Sequence, residues 1–126
     1  MAPPSTEDLL PLTPATFHIL LVLAAGESHG YAIMAEVERL TGGRVHVGPG
    51  TLYRSVYRML VDGLIERTDP GDQAPADERR SVYRLTRLGR EAARAEARRL
   101  HALVEAARAR GLLDDRAPRR RGGLRP

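Results

Sequence analysis

Apolar residues along this chain change their spacing from block to block, and each change marks a new element. Thr13 can cap a helix that opens on Pro14, and the near-continuous apolar run from Phe17 to Leu23 reads as a mostly buried helix closed by Ala24-Ala25-Gly26. A second helix is predicted over Ser28 to Leu40, with Ser28 as its N-cap, Ile33, Val37 and Leu40 on one face, and Gly42-Gly43 as its stop. After Arg44 to Gly48, Pro49 and Gly50 introduce a third helix running to about Asp62. Its apolar stripe is Leu52, Val56, Met59 and Leu60, and Gly63 ends it.

The period then shortens. Leu64 to Thr68 and Ser81 to Leu85 are short β-prone segments around a polar tip containing Asp69-Pro70-Gly71-Asp72, which predicts a hairpin or wing. Thr86 can cap a long last helix to about Arg110, where Ala93, Ala97, Leu100, Val104, Ala107 and Gly111 alternate spacings of four and three, a seam suited to helix pairing. Residues 1–12 lack helical periodicity and read as a flexible arm, and residues 112–126, with five arginines against two aspartates, read as a disordered basic tail. The fold class expected is mainly α with a small β-ribbon. Three helices, a two-stranded ribbon and one more helix is the order of a winged helix-turn-helix (residues 13–86), here followed by a dimerisation helix (87–111).

On a helical wheel the third helix sends Leu52, Val56, Met59 and Leu60 inward and Thr51, Arg54, Ser55 and Arg58 outward. Arg54 and Arg58 are one turn apart, so one can reach a guanine edge while the other holds a phosphate, with Thr51 and Ser55 making shorter contacts. Arg79 and Arg80, just before the returning strand, can lie over a minor groove or the flanking backbone. Double-stranded DNA is therefore the expected partner, and the competing reading is a winged helix that meets an acidic protein through the same face.

Composition narrows the function further. The chain has 126 residues, 42% of them hydrophobic, enough for one modest core. Cysteine is absent, which removes disulfides, thiol chemistry and the usual structural zinc sites. His18, His29, His46 and His101 are scattered without catalytic or metal-ligand spacing, so neither an enzyme nor a metal site is expected, and no cofactor. No run approaches the roughly 18 apolar residues of a membrane span, and the N-terminus has no signal core, so a soluble cytoplasmic protein is expected. All 20 basic side chains are arginine and the net charge is +4, a composition suited to phosphate and guanine edges. A small apolar effector between the final and first helices would be lined by Phe17, Leu21, Leu100 and Val104.

Several short motifs together resemble a known family. His29-Gly30-Tyr31-Ala32-Ile33, Gly50-Thr51-Leu52-Tyr53, Gly63-Leu64-Ile65, Arg79-Arg80 and Tyr83-Arg84-Leu85-Thr86 with Gly89 look, in order and spacing, like the PadR family of transcriptional regulators, over about residues 13–110. The resemblance implies a homodimer joined through the last helix, DNA contacts from the third helix and wing, and repression relieved by small molecules. It adds Tyr53 to the candidate DNA-binding set, although packing of the Tyr53 and Tyr83 rings is the stronger expectation from their chemistry. Many members carry proline where this chain has Arg54.

Overall fold

The first helix starts where its cap places it. In the computed structural model of the protein, which describes residues 6–68 and 81–114, α1 (Pro14–Ala24) begins behind Thr13, whose Oγ1 accepts from the Thr16 amide at 3.1 Å. Pro14 stands at the first helical position, where an amide would have no intrahelical partner. The remaining elements are β1 (Ser28–His29), α2 (Gly30–Leu40), α3 (Pro49–Val61), β2 (Ile65–Thr68), β3 (Val82–Leu85) and α4 (Arg87–Ala109). The chain divides into two compact units, Met1–Glu96 and Ala97–Pro126.

The second helix departs from expectation at its start. Ser28 does not cap it; Ser28 and His29 form β1, which pairs antiparallel with β3 in the register Ser28↔Tyr83 and His29↔Val82. The ribbon is therefore a three-stranded sheet in the order β1-β3-β2. A two-residue strand is too short to carry a period, which is why the sequence reads it as the head of a helix. On the other side of β3 the register is Ile65↔Leu85 through Thr68↔Val82, and the opposed pair Glu66 and Arg84 is joined by an ion pair at 2.7 Å.

Glycine ends three of the helices in the same way. Gly42, Gly63 and Gly111 all have positive φ. After each, the next amide reaches back five residues: Gly43 to the Glu38 carbonyl at 2.8 Å, Leu64 to Met59 at 2.9 Å and Leu112 to Ala107 at 2.9 Å. Thr86 then joins three elements: its hydroxyl donates to the Gly63 carbonyl at 2.5 Å and accepts from the Gly89 amide at 3.0 Å, while its own amide donates to Leu64 at 3.1 Å. The wing is thus tied to the end of α3 and to the start of α4.

The core gathers Ile19, Leu20 and Leu23 of α1, Ile33 and Val37 of α2, Leu52, Val56 and Met59 of α3, and Ile65 and Tyr83 of the sheet. Val45 and Val47, in the segment before α3, also pack here, and the Thr41 hydroxyl holds that segment by accepting from the Val45 amide at 3.0 Å. Two features of the packing add to the sequence reading. Thr6–Leu9, inside the segment read as a flexible arm, forms a 3-10 helix, and Leu9 and Leu12 pack on the core because their side chains are apolar enough to prefer it to water. Ala93, the first residue of the predicted pairing seam, packs on the core of its own unit. The tip Asp69-Pro70-Gly71-Asp72, Arg79, Arg80 and the tail from Asp115 lie outside the described residues.

Candidate nucleic-acid interface

The candidate surface is the outer side of α3. Leu52, Val56 and Met59 are at most 3% exposed, so one side of the helix is fixed in the core and the opposite side must face water. Thr51, Arg54 and Arg58 lie on that outward side and are exposed, and Ser55 is half-buried beside them. The Arg54 guanidinium donates to the Thr51 hydroxyl at 3.5 Å, and Arg58 stands 3.6 Å from the Asp62 carboxylate. Both pairings are loose and solvent-exposed, so either arginine can exchange its partner for a phosphate or a base edge at little cost. The first turn of α3 carries no acid.

Tyr53 differs from the rest of the predicted set. Its hydroxyl is buried, and a Cβ on Gly30 would sit 2.3 Å from it. Glycine at the first position of α2 is therefore what lets the Tyr53 ring close the α2–α3 contact, with the hydroxyl inside that packing. The predicted Arg79 and Arg80 contacts lie outside the described residues.

Two residues of the surface were missed in the sequence. Tyr57 and Val61 are 69% and 63% exposed on α3, beside Arg54 and Arg58. The signal was present as the positions three and seven residues after Arg54, but apolar residues on a wheel are first assigned to the core.

Two grooves adjoin the helices of this unit. One, of about 470 Å³, lies between the N-terminal segment and α3 and is lined by Asp8, Leu12, Thr16, Arg54, Ser55 and Arg58 among others. The other, of about 450 Å³, lies between α1 and α2 and includes Leu21, Ala25, Ala32, Glu36, Arg39 and Leu40. Of the residues expected to line an effector pocket, Leu21 faces this second groove, Phe17 is half-buried on the same helix, and Leu100 and Val104 stand on the separate C-terminal unit. Among the described residues no cluster of His, Asp and Glu is grouped to hold a metal ion, and no helix is long and apolar enough to cross a membrane.

A family model described as the transcriptional regulator PadR-like family matches residues 19–95, which run from the second half of α1 through β3 into the first turns of α4. The chain belongs to this family. It is thus a PadR-family transcriptional regulator. The PadR chain is 45% identical over 88 residues to the transcriptional regulator Rv3488 of Mycobacterium tuberculosis, covering 69% of this chain and 76% of that one. It is 38% identical over 80 residues to an uncharacterized 37.1 kDa protein in transposon TN4556 of Streptomyces fradiae, covering 63% of this chain but only 21% of the relative's length. Its fold is similar to that of a transcriptional regulator from Clostridium thermocellum, with a TM-score of 0.64 at 22% identity over 75% of this chain and 87% of that one. Winged-helix architecture is therefore shared with solved PadR-type regulators.

Proposed function

We propose that this chain represses transcription by binding a pseudo-palindromic operator as a homodimer, with α3 of each copy in a major groove, and that a small apolar molecule relieves the repression. The observation that carries the reading is the outer side of α3: Thr51, Arg54 and Arg58 exposed on a helix whose other side is locked by Leu52, Val56 and Met59. Arginine forks match the paired acceptors of guanine and the oxygens of phosphate, and a rigid helix presents them in one register.

The C-terminal unit supports association. Leu103 is 55% exposed and Val104 41% exposed on α4, with Leu100 half-buried between turns, so an apolar stripe runs along a helix that is otherwise rich in arginine, alanine and glutamate. Pairing of two such helices removes that stripe from water and sets two α3 helices on one duplex. The α1–α2 groove, where Leu21 and Leu40 stand beside Glu36 and Arg39, is the place proposed for such an effector.

The test is a fluorescence-anisotropy titration of the full chain against a duplex from immediately upstream of its own gene and a scrambled duplex, at two salt concentrations. Tighter, salt-sensitive binding to the upstream duplex is expected, with a stoichiometry of two chains per duplex. Weak and equal binding to both duplexes would overturn local repression and favour an acidic protein as the partner of the arginine face.

A further inference from the structure

Arg54, Tyr57, Arg58 and Val61 follow one another on α3 at spacings of three, one and three. At about 100° per residue these positions share one arc of the helix, opposite the buried Leu52, Val56 and Met59. The side chains that project furthest from the core are therefore two arginines with two apolar groups, and the apolar pair is 69% and 63% exposed. Single exposed apolar residues are ordinary on protein surfaces. Two together on the outermost line of a helix, flanked by forked cations, match a surface that is anionic at its edges and apolar on its floor. The DNA major groove has this character where thymine presents its C5-methyl group between the phosphate strands.

We propose that Tyr57 and Val61 determine operator sequence by packing against thymine methyl groups, so that each half-site carries thymine beside the base pair met by Arg54 or Arg58. This rests on α3 being the DNA-facing helix. Cytosine, which lacks the methyl, leaves Val61 and the face of the Tyr57 ring without that apolar contact, and this sets the direction of discrimination. Both side chains leave the core untouched, so their truncation alters recognition and not folding.

The experiment selects duplexes bound by the full chain from a random pool, then replaces the thymines of the selected half-site one at a time by deoxyuridine, which removes the methyl alone. For the unmodified protein, loss of a contacted methyl is expected to weaken binding about threefold to fivefold. The double variant Tyr57→Ala/Val61→Ala is expected to melt at the unmodified temperature and to bind the thymine and deoxyuridine duplexes equally. Selected sites without an invariant thymine, or unmodified protein indifferent to the substitution while still preferring its site over a scrambled duplex, would overturn the methyl-reading role and leave DNA recognition by α3 standing. A pool that yields no preferred duplex would instead overturn the DNA-facing reading itself.

Discussion

Arg58 and Gly89 stand in opposite relations to their surroundings. The Arg58 side chain is 77% exposed and stands 3.6 Å from the Asp62 carboxylate, so its value lies in what it can meet outside the fold. Arg58→Ala should weaken specific DNA binding by about 1–3 kcal/mol with the thermal unfolding curve unchanged; unchanged affinity in a titration of the folded variant would remove Arg58 from the interface. Gly89 is filled space: a Cβ there would lie 1.9 Å from the Leu64 carbonyl oxygen, on backbone that Thr86 also grips. Gly89→Ala should therefore destabilise the domain by about 1–3 kcal/mol or more, read as a lower urea midpoint. The matched Gly89 was legible as a motif residue, but its reason is a close approach between segments far apart in sequence.

Among the elements, Thr86 ties α4 to the wing and to the turn after α3. Thr86 caps the helix and bonds the Gly63 carbonyl that ends the turn after α3. Thr86→Val keeps the shape and removes both bonds, so a loss of about 1–2 kcal/mol in chemical denaturation is expected, and a loss near zero would show the cap to be dispensable. On α2 the Glu36 carboxylate is gripped by the Arg39 fork, whose Nε lies 3.0 Å away, and hydrogen bonding to Arg39 holds its pKa below the ordinary carboxylate value. A lowered folded value stabilises the fold above the unfolded value and ceases to do so as pH falls through the folded one. Both groups are at the surface, so Glu36→Gln should flatten the acid limb of the stability profile slightly in low salt and leave it unchanged in high salt. The cap at Thr13 and the glycine stops were visible in the sequence because each is a local rule. The strand at Ser28–His29 was not, because its only cause is the neighbouring β3.

For the whole molecule, the proposed repressor role makes one claim on both units: two copies are expected to pair so that two α3 helices meet two half-sites. Val104→Asp places a charge on the exposed stripe of α4 without touching the core of the first unit. Light scattering should then report a monomer, and binding to the selected operator should fall by more than a factor of ten, while the circular dichroism of the monomer stays helical. A variant that remains dimeric would place the subunit contact elsewhere.

Local chemistry in the sequence determined the helices, the caps at Thr13 and Thr86, the glycine stops, the apolar stripe of α3 and the arginines opposite it, since each follows from spacing and side-chain type within a few turns. Tertiary structure alone decided the third strand, the packing of Leu9, Leu12 and Ala93, the burial of the Tyr53 hydroxyl against Gly30, and the exposure of Tyr57 and Val61. The physical reason is that apolar character says a side chain gains by leaving water, and only the arrangement of the elements says which of them finds a place to go.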